Sequence, residues 1–352
     1  MPSRDGAPAA KPAGSPRALF NHCSPFMEVR APLIFRPVYQ PLVWGGRRME
    51  SWGRNLPPGP IGEAWELADH TRGMSVVAEG DLAGTPLRDL VERAGQALVG
   101  WAFRGGEFPL MIKLIDASLR LSVQVHPDDA IARELGVGQH GKTECWVFLA
   151  DGGEICQGTH PGVSRAEFER ALADHHVATT LNRFEARKGD VFFLPARTVH
   201  ALGEGCLLYE VQQTSDITFR VYDWDRLGLD GKPRPLHVTE SMATIDFSRS
   251  DYGPHAPEPW RPLPAPGCEE RGLIECPYFA LREQRVRGTL EQPVGDTCVV
   301  VTCAAGQGTL STPAGRAALP PMQTVLIPAN AGTWRVEIPS GSAELLVATP
   351  RF

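Results

Sequence analysis

The feature that most constrains this chain is a long succession of short apolar runs separated by turn residues. LIFRP (33–37), MSVVAEG (74–80), LMIKLIDA (110–117), LRLSVQVH (119–126) and ECWVFLA (144–150) read as strands. EICQG (154–158), DVFFLP (190–195), CLLYEVQQ (206–213) and ITFRVYDW (217–224) continue the series. Many short strands with turns between them predict a mainly β chain, built as antiparallel sandwiches or barrels. Asp151-Gly152-Gly153 is a tight hairpin signal between two of the strands. Helices are few. Thr85 as N-cap with Pro86 at the first helical position opens one, and Leu87, Leu90, Val91 and Ala94 give it an apolar stripe. Ser164 and Glu167 form a capping box ahead of Phe168, Ala171 and Leu172. Asp128 or Asp129 caps a short helix that stops at Gly136.

A chain of 352 residues has room for two to three domains. Residues 1–26 are rich in Pro, Ala, Ser and Gly, lack an apolar signal core, and are expected to be a disordered tail. Composition shifts again near residue 250, where DYGPHAPEPWRPLPAPG reads as a linker. The expected organisation is a first barrel over 27–248, a linker over 249–255 and a second barrel over 256–352. An internal echo supports two related units: RKGDVFFLPARTVHAL in the first half parallels PPMQTVLIPANAGTWRV in the second. Aligning Pro195 with Pro328 places Thr333 opposite His200, so the second unit reads as a copy without its histidine.

The net charge of −6 gives no reason to expect nucleic acid or an anionic membrane as partner. An anionic small molecule would need local positive groups. The eight cysteines form no C-x-x-C pair and sit largely in apolar runs, which predicts reduced, buried thiols and a cytoplasmic protein. No apolar run approaches the length of a membrane span.

Chemistry concentrates in LSVQVHPDD, residues 121–129. Positions i and i+2 of a strand share a face, so Ser122, Gln124 and His126 point together while Val123 and Val125 point away. The row is either a set of ligands or the polar outer face of an edge strand. GKTECWVF adds Lys142 and Glu144 at the entrance of a strand that follows closely. GDVFFLPARTVH spells G-x5-P-x-R-x2-H and ends in His200.

That last pattern resembles the second motif of cupin barrels, with Arg197 where the family usually has glycine. The ordered series Q-x-H-P, G-K-T-E, P-x4-H and YEVQQTSDITFRVYDW (209–224) narrows the likeness to type I phosphomannose isomerases. VWGG (43–46), IGEAWEL (61–67) and PLHVTES (235–241) belong to the same match, which runs from about Phe35 to Phe247. The resemblance implies a bicupin, two antiparallel jelly-roll β-barrels with a few short helices, the second barrel degenerate and without metal. It implies one zinc ion held by Gln124, His126, Glu144 and His200. Two imidazoles and a carboxylate suit zinc, and a neutral amide oxygen leaves more residual charge on the metal than a second carboxylate would. The implied reaction interconverts mannose 6-phosphate and fructose 6-phosphate through a cis-enediol. Arg220 then faces the developing oxyanion, Glu210 is the base or the partner of the base, and Asp216 orients Arg220. Ser122, Lys142 and Lys113 are expected at the substrate phosphate. For Arg220, spacing alone favours a surface arginine paired with Asp223 or Asp225; for Lys113, a lysine reaching to solvent. Glu63 and Trp44 are candidate pocket residues, and His237 receives no chemical role. The rival readings are an iron-dependent cupin dioxygenase and a non-catalytic sugar-phosphate-binding cupin. A monomer or homodimer is expected.

Overall fold

The computed structural model describes residues 28–352, so the expected tail over 1–26 lies outside them. The chain is mainly β, and its helices are short. Two antiparallel sheets form the first unit. One has six strands in the order Val191–Leu194, Glu144–Phe148, Leu207–Gln213, Leu110–Asp116, Ile61–Leu67, Val38–Gly46. The other has five: Leu181–Glu185, Glu154–Thr159, His200–Leu202, Val123–Val125, Phe219–Tyr222. A ten-stranded antiparallel sheet dominates the second unit.

Side-chain alternation decides what each sheet does. Ile155 and Leu202 of the five-stranded sheet pack against Trp146, Phe148, Phe192 and Leu208 of the six-stranded one, forming an apolar core between them. Val123, Val125, Val199, Phe219 and Val221 face the opposite way, onto Phe168 and Met242. Those two belong to the helices Arg165–Ala173 and Val238–Thr244, which cover the outer face. The six-stranded sheet is covered too: Ile112, Leu114, Cys145, Val147, Tyr209 and Val211 join one cluster with Leu281, Val300, Leu326 and Ala348 of the second unit. Burial on both faces explains why its central strands read as mostly apolar runs, with Lys113 and Glu210 as charged exceptions.

Several local expectations hold in detail. Ser164 and Glu167 make the reciprocal capping box, and Asp128 accepts from the Ile131 N–H. The seven described cysteines are free, buried thiols. The two echoing segments have the same order of parts. One strand ends at Leu194 before Pro195 and the next opens at His200; their counterparts end at Ile327 before Pro328 and open at Thr333.

Other expectations are corrected. The Asp151-Gly152-Gly153 turn is not a hairpin. Glu144–Phe148 pairs with Val191–Leu194 and Leu207–Gln213, while Glu154–Thr159 pairs with Leu181–Glu185 and His200–Leu202. The two glycines, both at positive φ, carry the chain from one sheet to the other. Pro86, not Thr85, is the N-cap of Leu87–Ala94, and no side chain caps that helix. Leu33–Arg36, expected within the first barrel, pairs with Thr324–Ile327 of the second unit. Segment 249–255 is irregular but docked: the Gly253 N–H donates to Gln157 Oε1 at 2.8 Å and the His255 N–H to the Val191 carbonyl at 2.7 Å. Among the described residues no helix is long and apolar enough to cross a membrane.

Candidate metal centre and sugar pocket

Register brings the candidate ligands together. Gln124 lies directly opposite both His200 and Arg220 on its two neighbouring strands, so three polar residues form one row across the five-stranded sheet. Glu144 faces them from the six-stranded sheet. Ligand atoms of His126, Glu144 and His200 all lie within 4.8 Å of one another, and all three residues are buried. His200 Nε2 is 3.3 Å from Glu144 Oε1, and His126 Nε2 is 3.7 Å from Oε2.

The ring orientations are fixed from behind. His126 Nδ1 is 2.7 Å from the Ile217 carbonyl, and His200 Nδ1 is 2.9 Å from the Thr198 carbonyl. A carbonyl only accepts, so each Nδ1 carries the proton and each Nε2 keeps its lone pair toward Glu144. Such backing is the usual arrangement around metal-ligating imidazoles. Burial lowers both imidazoles, His126 well below its ordinary range and His200 to about 4, with the Lys142 charge adding to the effect. Both rings are therefore neutral near pH 7, as ligation requires.

The carboxylate is the sign that something is meant to sit there. Neither oxygen of the fully buried Glu144 receives a hydrogen bond. Lys142 Nζ lies 2.9 Å from Oε2, an ion pair by distance but outside hydrogen-bonding directions, and 3.3 Å from His126 Nε2. A buried carboxylate without donors costs several kcal/mol, on the order of 3–5 if left uncompensated. Two imidazole nitrogens and one carboxylate around a spot already favoured by an ammonium fit a divalent cation. Gln124 stands beside this trio rather than in it: Nε2 faces His200 Nε2 at 3.2 Å and Oε1 faces Ser122 Oγ at 3.4 Å. Ligation through Oε1 needs a half-turn of the amide.

A pocket of 260 Å³ opens beside these groups, with Ser122, Gln124, Lys113, Lys142, Asp216 and Arg220 in its wall. Glu63 and Trp44 line it as well. Lys113 lines the pocket but does not reach solvent. It is buried, with Nζ 3.2 Å from Glu63 and 3.5 Å from Glu210, and over the Trp65 ring at 5.1 Å. Those carboxylates outweigh desolvation and raise its pKa. Glu210 is buried beside it and accepts from Trp146 Nε1 at 2.7 Å. Burial pushes the Glu210 carboxyl up, and the Glu144 charge pushes the same way.

Arg220 does not pair with Asp223, which two other arginines already hold: Arg226 Nη2 at 2.9 Å, and Arg234 through Nε at 2.7 Å. Arg220 Nη1 donates to the Pro235 carbonyl at 2.8 Å, and its Nε has no partner. Desolvation lowers its pKa from the usual arginine value, and Arg234 adds to that. Asp216 does not orient Arg220; it pairs with Arg72. Arg72, Arg234 and His237 also line the pocket, and the sequence reading missed all three as site residues. His237 could have been found, because it lies in the matched PLHVTES stretch. Its Nδ1 accepts the Arg220 N–H at 3.1 Å, while its own N–H donates to the Arg220 carbonyl at 2.8 Å, which fixes the backbone that carries Arg220.

Known proteins share this arrangement of sequence and fold. The profile of the phosphomannose isomerase type I catalytic domain matches residues 33–143. A mannose-6-phosphate isomerase of Streptococcus mutans is 32% identical over 320 residues, covering 90% of this chain and 98% of that protein. Mannose-6-phosphate isomerase ManA of Bacillus subtilis is 33% identical over 322 residues, with coverage of 90% and 98%. A crystal structure of the mannose 6-phosphate isomerase from Bacillus subtilis aligns with a TM-score of 0.82 at 29% identity, covering 90% of this chain and 99% of that one. With its neutral imidazoles, orphaned carboxylate and basic pocket set in that fold, the chain belongs to the type I phosphomannose isomerase family.

Proposed function

We propose that this protein is a zinc-dependent aldose–ketose isomerase interconverting mannose 6-phosphate and fructose 6-phosphate through a cis-enediol. The observation that carries the reading is the convergence of His126, Glu144 and His200 on one buried point beside a pocket walled by charged side chains. His126, Glu144, His200 and, after its amide turns, Gln124 would hold the ion. The chemistry such an ion supplies is Lewis-acid polarisation of a sugar oxygen.

The chain's own residues do the rest. Glu210 takes the proton from C2 of the open-chain aldose and returns it to C1, while the O2 hydroxyl proton passes to O1. Its raised pKa makes it a stronger base than an exposed carboxylate, and the Trp146 N–H fixes its orientation. Lys113, in the pocket wall, keeps that carboxylate compensated. Arg220 carries an unpartnered Nε, and its guanidinium meets the negative charge that grows on the enediolate oxygens. Ser122 and Lys142 take the phosphate. The segment from Val38 to about residue 248 would be the catalytic barrel, and 256–352, which takes up Leu33–Arg36, a degenerate barrel that covers the back of the six-stranded sheet.

Two histidines and one carboxylate also serve non-haem iron oxygenases. A wall bearing Lys142, Arg220 and Asp216 suits a sugar phosphate better than the apolar substrates of such enzymes. A coupled assay that follows fructose 6-phosphate formation from mannose 6-phosphate, with zinc supplied, tests the reading. Turnover that chelation abolishes and zinc restores is the expected result; no turnover, or oxygen uptake instead, would overturn it.

A further inference from the structure

Two concavities meet at one ion pair. The 260 Å³ pocket and a neighbouring one of 590 Å³, walled by His70, Thr71 and Ser215, share Asp216. Arg72 reaches across this boundary to bind Asp216. It sits at the tip of a small hairpin, between the two-residue strands Asp69–His70 and Gly73–Met74. The base of the hairpin is anchored. A Cβ on Gly73 would come within 2.7 Å of the Trp65 ring, and the His70 ring stands edge-on to that indole at 5.9 Å. The tip is free: the Arg72 side chain is 65% exposed, and its guanidinium meets Asp216 alone among the described residues.

The other cations of the pocket are more committed. Lys113 lies between Glu63 and Glu210, Lys142 against Glu144, Arg234 on Asp223, and Arg220 on the Pro235 carbonyl. Each lies deeper than Arg72, whose side chain is by far the most exposed of the set. An exposed ion pair is weakly held, so Arg72 can exchange one anion for another at little cost. A planar guanidinium also matches the oxygens of a phosphate monoester through two parallel N–H donors.

We infer that Arg72 is a phosphate clamp that distinguishes the phosphorylated sugar from the free hexose: its guanidinium leaves Asp216 for the phosphate monoester of the bound substrate. The inference rests on the sugar-phosphate reading of the pocket and adds a determinant of specificity to it.

Steady-state kinetics of the zinc-loaded full chain test this, with Arg72→Ala and Arg72→Lys compared on mannose 6-phosphate and on free mannose. Inorganic phosphate serves as an inhibitor and as a ligand in titration calorimetry. Loss of one charge-assisted contact predicts a KM for mannose 6-phosphate raised about tenfold, with kcat within about threefold. The inhibition constant of phosphate rises in parallel, turnover of free mannose is unchanged, and Arg72→Lys recovers part of the loss. An unchanged KM and phosphate constant in Arg72→Ala would overturn the inference, as would equal losses on both sugars. If the wild-type chain leaves mannose 6-phosphate untouched, the isomerase reading falls instead. Phosphate titration of wild type against Arg72→Ala then still decides the role of Arg72.

Discussion

Replacing Glu210 by glutamine separates a base from a structural ion partner. The amide keeps the shape and retains an oxygen to accept from Trp146 Nε1, now 2.7 Å away. What disappears is a buried negative charge. Removing one partner of a buried pair costs about 3–5 kcal/mol when the other is left alone. Lys113 is not left alone, because Glu63 lies closer to it, at 3.2 Å against 3.5 Å for Glu210. The carboxylate given up is also one that burial and Glu144 already penalise. Stability is therefore expected to change by no more than about 1 kcal/mol, read as the urea midpoint. Turnover behaves differently. Loss of a positioned base removes about 10²–10⁴-fold from kcat, or about 3–5 kcal/mol of barrier. Since the base must be ionised to act, wild type should show an acid limb in kcat/KM, and in the variant that limb disappears. Near-wild-type turnover in Glu210→Gln would refute the assignment. So would an activity loss that merely follows a loss of folded protein.

Four further outcomes are expected. Arg220→Ala lowers turnover by about 10²-fold or more while metal content, read by elemental analysis, is unchanged. At position 197, Arg→Gly is more stable than Arg→Ala by about 1 kcal/mol in urea melts: the residue has φ of +75°, and both variants lose the bond from Nε to the Thr244 carbonyl. Gly158→Ala forces a Cβ to within 2.0 Å of the Tyr252 ring at a positive-φ position, so it destabilises by more than about 2 kcal/mol and exposes segment 249–255 to protease, an effect limited proteolysis reads. In metal-free protein, burial holds His200 at about 4 while the unfolded imidazole titrates near 6.5. Unfolded chains therefore bind the extra proton first: stability is full above pH 6.5 and falls as pH drops toward 4, by on the order of 3 kcal/mol from this group. A pH series of urea melts on chelated protein reads it, and a flat series would contradict the burial of His200.

The shared face of Gln124 and His126, two of the candidate metal donors, was legible because strand alternation is a local rule. Val123 and Val125 had to face the helices, so Gln124 and His126 had to face the other way. The Ser164–Glu167 box was equally local. Pairing between distant strands was not. The Asp151-Gly152-Gly153 turn announces a change of direction but not which sheet receives the next strand, and the chain crosses over there. Leu33–Arg36 looks like any first strand until Thr324–Ile327, far along the chain, takes it up. The same limit hid Arg72, whose partner Asp216 is separated from it by 144 residues. Lys113 misled for another reason: a lysine amid apolar residues reads as reaching for water, and only the placement of Glu63 and Glu210 shows that it turns inward.

The central claim is a single divalent ion on one buried set of donors. Crystals of the zinc-loaded protein, measured on both sides of the zinc absorption edge, test it most directly. The account predicts one anomalous peak per chain, about 2.0–2.2 Å from the Nε2 atoms of His126 and His200 and from an oxygen of Glu144. A stoichiometric zinc peak elsewhere in the chain, or none at this cluster in protein that turns over substrate, would contradict it.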